Sequence, residues 1–182
     1  GEHRRSAAIR TAIAEALQTG AVSVRSPDAA PGTVALVGAG PGDPELITIR
    51  GRRLLAQADV VVADRLAPAQ LLGELPPHVE VIDAAKIPYG RAMAQDAINA
   101  TLIEAARAGK FVVRLKGGDP FVFARGYEEV LACAEAGVPV TVVPGVTSAI
   151  AVPALAGVPV THRGVNHEFV VVSGHIAPGE PE

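Results

Sequence analysis

Short, almost wholly apolar runs alternate along this chain with segments of helical periodicity, and this alternation restricts the fold more than any other feature. Runs of strand length lie at residues 34–37, 60–62, 79–82, 111–115 and 140–143. Helical segments lie at 46–57, 95–108, 127–136 and 147–155, the last one interrupted by Pro153. Strands that are apolar throughout must be covered on both faces. The pattern therefore predicts an α/β domain with a mainly parallel sheet between layers of helices.

The composition excludes several classes of protein. A net charge of −3 argues against a general nucleic-acid binder, and no apolar run approaches the roughly 18 residues of a membrane span. No secretory signal is visible, and Cys133 is the only cysteine, so an internal disulfide is impossible and we expect a cytoplasmic location. Because Cys133 follows an apolar run, we predict a buried structural thiol rather than a nucleophile. His162 and His175 match no metal-ligand spacing, so no metal site is predicted.

The two ends of the chain depart from the alternating pattern. Residues 5–18 have helical periodicity, and the segment 26–32 contains two prolines and a glycine, which is typical of a linker. A further strand is predicted at 169–173, with no helix after it. We expect 1–32 to be a helical tail and linker from a preceding module and 33–163 to be a first α/β domain. Residues 164–182 would begin a second α/β domain that is mostly missing from this chain.

A glycine- and proline-rich loop, residues 38–44, follows the first predicted strand. A strand, a glycine loop and a helix suggest a dinucleotide site, but the third glycine position is Asp43, and Pro41 has no N–H to give to a phosphate. The lysine of a P-loop is also lacking. A proline-stiffened loop of this kind suits a zwitterionic or cationic ligand such as S-adenosyl-L-methionine (SAM), whose sulfonium is positive. A tight strand-to-helix connection that binds nothing is the alternative.

Several later segments carry a resemblance to a known family. A second glycine loop ends the fourth predicted strand at 114–123 and is followed by 125–129; the other matching segments are 64–66, 143–149 and 159–163. Together with the first loop, this set closely resembles the tetrapyrrole methylase family from about residue 33 to residue 175. Within the family it is most similar to the members that C-methylate uroporphyrinogen III, alone or as one module of a siroheme synthase.

The resemblance implies a homodimeric enzyme with two α/β domains and SAM bound in the cleft between them. The implied SAM contacts follow three strand ends, where ligands of open parallel sheets usually bind. The implied contact residues are Pro41, Gly117, Gly118, Asp119, Val122, Thr147 and Ser148. On the residues alone, Asp119 and Pro120 indicate an ordinary turn, and Thr147 and Ser148 suit a helix cap that still faces a ligand.

The reaction that the resemblance implies is the transfer of two methyl groups, one after the other, from SAM to pyrrole carbons of uroporphyrinogen III. The product is precorrin-2, the branch compound toward sirohaem and cobalamin. Asp64 matches the family's proposed proton acceptor and Lys86 its proposed proton donor. The alternatives are a helix cap or a salt bridge with Arg65 for Asp64, and a solvated surface lysine for Lys86.

A substrate with eight carboxylates needs a locally basic site, and arginine binds carboxylates through paired hydrogen bonds. We predict substrate contacts from Arg65, Arg91 and Arg163, although each alone is also explained as a surface charge. The segment after Lys86 departs from the family pattern. Ile87 stands where the family usually has an arginine, so one expected positive charge is absent. Arg91 stands where the family has a later histidine, and its guanidinium restores that charge.

Two alternatives to this function stay open on sequence grounds. One is another methyltransferase of the same fold that acts on a precorrin, diphthine or ribosomal RNA, although segments 114–123 and 161–163 argue against it. The other is a catalytically silent fragment that mediates dimerisation inside a fused siroheme synthase.

Overall fold

One sheet of five parallel strands forms the centre of the part that the computed structural model describes, residues 2–18, 27–84 and 95–174. The strands are β1 (Val34–Gly38), β2 (Val60–Ala63), β3 (Glu80–Asp83), β4 (Val112–Lys116) and β5 (Val140–Val143). Their order across the sheet is β3-β2-β4-β1-β5. Every neighbouring pair is parallel, which confirms the predicted α/β class.

Helices connect the strands and cover both faces of the sheet. They are α1 (Glu2–Gln18), α2 (Ile49–Leu55), α3 (Ala69–Gly73), α4 (Gln95–Arg107), α5 (Gly126–Glu135) and α6 (Ser148–Leu155). The predicted helix at 46–57 is divided, because Ile47 is extended and α2 begins only after Thr48, whose hydroxyl accepts a hydrogen bond from the Gly51 N–H at 3.0 Å. Pro153 does not interrupt α6, which continues through it to Leu155.

Two apolar layers, one on each face of the sheet, form the core. Alternate residues of β1 point to opposite faces, so that Ala35 and Val37 join one layer and Val34 and Leu36 join the other. The first layer also contains Leu54, Leu71 and Phe111, and the second contains Ile98, Leu102 and Cys133. Burial raises the pKa of the Cys133 thiol to about 11, which confirms the prediction of a buried structural cysteine.

The segments outside the alternating pattern match their predictions only in part. The helix predicted at 5–18 is confirmed by α1. The predicted strand at 169–173 is wrong, because no described strand lies beside these residues to complete its hydrogen bonds, and Val170 and Val172 are 83% and 81% exposed. On α1, Ile9 and Ile13 are also exposed. Ala29, in the segment with linker composition, is fully buried in the first core layer. None of the helices in the described ranges is long and apolar enough to span a membrane.

The strand order places the carboxyl ends of β2, β4, β1 and β5 side by side at one edge of the sheet. Asp64 follows β2, the second glycine loop follows β4, the first glycine loop follows β1, and Thr147 comes shortly after β5. Segments that are far apart in the sequence are therefore adjacent at this edge.

Candidate active site

A cleft of about 920 Å³ opens along this edge of the sheet. Its lining includes Asp64 and all the residues for which SAM contacts are implied: Pro41, Gly117, Gly118, Asp119, Val122, Thr147 and Ser148. The structure therefore brings these residues together from four strand ends, and their roles toward a ligand stay predictions.

The first and second glycine loops are held together by their backbones. The Gly40 N–H donates to the Gly118 carbonyl at 3.2 Å, and the Gly118 N–H donates to the Gly40 carbonyl at 2.7 Å. Both residues have left-handed φ angles, +80° and +63°, which glycine adopts without steric cost. The Asp43 carboxylate turns away from this pair and caps the next turn, where it accepts a hydrogen bond from the Glu45 N–H at 2.9 Å. Pro41 is thus left in the wall of the cleft.

A third loop, residues 144–147 between β5 and α6, packs against the other two at backbone contact. A Cβ built on Gly145 would lie 2.1 Å from the Gly118 carbonyl oxygen and 2.7 Å from the Gly38 Cα, so that only glycine fits at this position. Asp119 joins the loops as well, since its carboxylate accepts hydrogen bonds from the Gly145 N–H at 3.0 Å and from the Phe121 N–H at 2.8 Å. The turn predicted at Asp119 is present, and each carboxylate oxygen keeps a further lone pair for a ligand.

Thr147 is the N-cap of α6 and lies at the wall of the cleft. Its hydroxyl accepts a hydrogen bond from the Ala149 N–H at 3.4 Å, which confirms the predicted helix cap, and its side chain also lines the cleft. Ser148 is the first residue of the helix. Both residues line the cleft at the start of the helix.

Asp64 lies between the ends of β2 and β4 with its side chain 28% exposed toward the cleft. Its Oδ1 accepts hydrogen bonds from the Leu66 N–H at 3.1 Å and the Gly117 N–H at 3.3 Å, and the same Gly117 N–H reaches Oδ2 at 3.4 Å. Its Oδ2 lies 3.9 Å from Arg114 Nη2. Among the described residues, Asp64 pairs with Arg114 and forms no salt bridge with Arg65. Asp64 does not cap a helix either, because the N-cap of α3 is Pro68.

A buried charged cluster that the sequence analysis missed lies behind Asp64. Arg114 and Lys116 of β4 both bind Oε1 of Glu129 in α5, at 3.0 Å in each case. Burial and the neighbouring Arg114 guanidinium lower the pKa of Lys116. The signal was present in β4, where Arg114 and Lys116 follow Val112 in the strand's two-residue alternation and so share its apolar face.

The predicted substrate residues are distributed unevenly. Arg65 and Arg163 are exposed, and neither belongs to the lining of the cleft among the described residues. Arg125, which was not chosen as a substrate contact, does line it. The guanidinium of Arg125 donates to both carboxylate oxygens of Glu128, and this hydrogen bonding raises the pKa of Arg125 and lowers that of Glu128. Lys86, Ile87, Arg91 and His175 lie outside the described residues.

A sequence profile of the tetrapyrrole (corrin/porphyrin) methylases matches residues 33–181 of the chain. The chain belongs to the tetrapyrrole methylase family. The uroporphyrinogen-III C-methyltransferase of Methanocaldococcus jannaschii is 53% identical to it over 151 residues, which are 83% of this chain and 62% of that protein. The siroheme synthase of Acinetobacter baylyi is 48% identical over 151 residues, which are 83% of this chain and 33% of that protein.

A solved structure shows the same likeness in three dimensions. The uroporphyrin-III C-methyltransferase of Thermus thermophilus, complexed with S-adenyl homocysteine, matches this tetrapyrrole methylase with a TM-score of 0.63 and 50% sequence identity. The match covers 75% of this chain and 57% of that one. The chain thus spans less than two thirds of the length of each of these relatives.

Proposed function

We propose that this protein is a SAM-dependent methyltransferase that adds two methyl groups, one after the other, to pyrrole carbons of uroporphyrinogen III. The product is precorrin-2, on the route to sirohaem and cobalamin. The observation that carries the proposal is one cleft, in which loops from β1, β4 and β5 meet around the residues implied to contact SAM, with Asp64 beside them. The identity of 53% to a relative named for this reaction supports the choice of acceptor.

SAM fits the groups that the cleft offers. The cleft volume of about 920 Å³ is at the upper end of the roughly 300–1,000 Å³ that is usual for small-molecule sites. Gly117 and Gly118 expose backbone to the cleft without side chains, and the Thr147 and Ser148 hydroxyls offer hydrogen-bonding groups. The Asp119 carboxylate, already fixed by two backbone N–H groups, suits a ligand hydroxyl or ammonium.

The chain's residues have a limited chemical task in this reaction, because SAM supplies an electrophilic methyl group and a pyrrole carbon is electron-rich. The loops need to align carbon, methyl and sulfur rather than activate a nucleophile. The ring system must then lose and regain protons. Asp64 is the proposed proton acceptor, because its carboxylate is fixed by the Leu66 and Gly117 N–H groups and faces the cleft. Lys86 is the proposed donor.

The substrate's carboxylates need cations at the mouth of the cleft. We assign this task to Arg65, Arg91 and Arg163, of which Arg65 and Arg163 are exposed beyond the lining of the cleft. SAM would occupy part of the cleft, so the peripheral carboxylates of a tetrapyrrole bound beside it would reach past the residues that line the SAM site. Arg125, which lines the cleft, is an additional candidate.

We further propose that a second α/β domain completes the SAM site, that the enzyme is a homodimer, that it is cytoplasmic, and that it is a module of a multifunctional protein. The 33% coverage of the siroheme synthase relative supports the last point. The exposed apolar residues beside the cleft, Phe121, Phe123 and Tyr127, support burial against another domain or subunit. Sedimentation of the full-length protein tests the dimer, and a monomer at micromolar concentration would contradict it.

The test of the activity is a methylation assay of the full-length protein with SAM and uroporphyrinogen III. We expect a dimethylated product in the wild type and loss of turnover in Asp64→Asn, with SAM affinity retained. The matched control is Asp28→Asn, which makes the same change at a surface ion pair with Arg50 and should leave turnover intact. Transfer of methyl groups only to a different acceptor would contradict the proposal.

A calorimetric titration tests the proposed domain organisation separately. SAM is titrated into this 182-residue chain and into a chain extended past Glu182. We expect clearly tighter binding to the longer chain, because the second domain would contribute further contacts. Equal, tight binding to both would show that residues 1–182 already hold the complete SAM site.

A further inference from the structure

Full burial of several charged side chains is unusual, and it occurs here directly behind the cleft. Glu129 is 0% exposed, Arg114 3% and Lys116 2%. Charged residues are almost never fully buried unless they are paired, because the loss of hydration is costly. A cluster that serves stability alone would be replaced at little cost by apolar residues, so its position beside Asp64 calls for a specific reason.

The cluster is organised around a single oxygen atom. Glu129 Oε1 accepts hydrogen bonds from Arg114 Nε at 3.0 Å, from Lys116 Nζ at 3.0 Å and from Gln95 Nε2 at 3.2 Å. The other oxygen, Oε2, is buried and has no hydrogen-bond partner among the described residues. Both cations line the cleft, and Glu129 Oε1 binds them from the α5 side.

Arg114 is the member that reaches Asp64. Its Nη1 donates to the carbonyls of Val62 and Leu115 at 3.2 and 3.3 Å, and its Nε is bound to Glu129. Its Nη2 stays 3.9 Å from Asp64 Oδ2, which is an ion-pair distance but is beyond the roughly 3.2 Å of a good hydrogen bond. The guanidinium therefore attracts the carboxylate without occupying its lone pairs.

We propose that Arg114 is a positioning residue for Asp64 and that Glu129 holds Arg114 back from a direct hydrogen bond. Asp64 Oδ2, which the Gly117 N–H reaches at 3.4 Å, thus keeps a lone pair for the substrate. This inference rests on the proposed function, in which Asp64 accepts a proton. Arg114 fixes the direction of the carboxylate through its charge. Glu129 competes for the same guanidinium, and without that competition Arg114 would close on Asp64 and compete with the substrate for Oδ2.

Kinetics of the full-length protein test this inference through variants of Arg114 and Glu129. We expect Arg114→Gln and Glu129→Gln each to lower kcat for methyl transfer by about 10- to 100-fold, the scale of an error of about 1 Å in a reacting group. The KM for uroporphyrinogen III and the Kd for SAM should change by less than about threefold, since neither residue is assigned to either ligand. Arg114→Lys should have a kcat between those of Arg114→Gln and the wild type. It keeps the positive charge, but a single ammonium group cannot contact Glu129 and Asp64 at the same time.

A double-mutant cycle with Asp64→Asn separates positioning from a general structural effect. If Arg114 acts through Asp64, adding Arg114→Gln to Asp64→Asn should change the residual single-turnover rate by less than about threefold. A surface control, Arg107→Gln, should leave all parameters unchanged; its guanidinium binds the Ala136 carbonyl far from this cluster in the fold. If Arg114→Gln does not fold, the same cycle is run with Glu129→Gln and Arg114→Lys.

Two results would overturn the inference. One is a kcat close to that of the wild type in both Arg114→Gln and Glu129→Gln. The other is a double variant with Asp64→Asn whose rate falls by the product of the two single-variant losses. In either case a large loss in Asp64→Asn alone would leave the proposed function standing. A wild-type rate in Asp64→Asn would instead refute Asp64 as the proton acceptor, and this outcome is read from the single variant.

Discussion

Replacement of Gly145 by alanine adds one methyl group at the point where the three loops of the cleft meet. The new Cβ would lie 2.1 Å from the Gly118 carbonyl oxygen and 2.7 Å from the Gly38 Cα. Non-bonded heavy atoms prefer separations of about 3.5–4.0 Å between carbons, so the loops must part by roughly 1 Å. All of these neighbours are backbone atoms, which cannot rotate away as a side chain could.

The expected cost follows from this geometry. Overpacking of a well-packed site costs about 1–3 kcal/mol, and we expect the upper end because the backbone must shift. For a protein of this size, about 3 kcal/mol corresponds to a fall in Tm of roughly 6–12 °C. The Gly145 N–H to Asp119 bond and the Gly40–Gly118 pair should be disturbed together, so that SAM affinity should fall as well.

Thermal unfolding and urea titration measure this effect against a matched control. Gly73→Ala makes the same chemical change at the end of α3, where nothing lies within 4 Å of the added Cβ. We expect its stability to stay equal or rise slightly, since alanine favours helix by up to about 1 kcal/mol over glycine. A Tm of Gly145→Ala within about 2 °C of the wild type, with unchanged SAM binding, would refute the backbone contact of the three loops.

The buried charges and the buried thiol give three further expectations. Glu129→Leu leaves two buried cations without their anion and should lower the free energy of unfolding, measured by urea titration, by about 3–5 kcal/mol. The control Glu128→Gln, at the exposed neighbouring residue, should leave the urea midpoint almost unchanged. Because the folded-state pKa of Lys116 lies below its ordinary 10.5, its side chain binds more protons in the unfolded chain between the two values, and the contribution of Lys116 to stability should rise with pH there. Lys116→Met should lack this rise, and parallel stability curves of the two proteins between pH 7 and pH 10.5 would contradict the assignment. The Cys133 thiol, with a pKa of about 11, should react with a thiol reagent at pH 8 only after unfolding, so rapid labelling of the native protein would show that it is accessible.

The positions of the strands along the chain were predictable, because a short apolar run between turn residues favours a strand. Their order across the sheet was not predictable. β1 lies between β4 and β5, and β4 in turn separates β1 from β2. That order depends on which helix packs on which face, which is a matter of contacts between distant segments. The strand predicted at 169–173, which the structure does not contain, also shows that contacts between distant segments are not given by a local pattern. Val170 and Val172 favour a strand, but a strand also needs a neighbour to bond with.

The loops of the cleft could be predicted because glycine and proline record backbone geometry directly. Gly118 is required by a positive φ, which is a local feature of a strand end, whereas Gly145 is required by its close approach to Gly118 and Gly38, which follow other strands. The arginines were less predictable, since the sequence does not state where a long exposed side chain points. Arg65 and Arg163 were predicted because they lie in segments that carry the family resemblance, whereas in the structure Arg125 lines the cleft.

Glu129 was missed although the sequence contained a signal for it. It precedes Cys133 by four residues, so the two lie on one face of α5, and Cys133 was already predicted to be buried. A carboxylate on a buried helical face needs a cation, and the face of β4 that carries Val112 supplies Arg114 and Lys116. The helix phase and the strand alternation together thus predict a buried ion cluster where neither pattern does alone.

The position of that cluster follows from the way β4 runs out of the core. At Val112 the strand is enclosed by the second apolar layer, whereas at Arg114 and Lys116 it approaches the cleft, where a charge can be tolerated if it is paired. Glu129 provides the pairing from the helix side and Asp64 faces the same cations from the cleft side. The end of β4 therefore has a buried side, where Glu129 fixes the two cations, and a solvent-exposed side toward the cleft. A polar substrate would meet Asp64 on the exposed side.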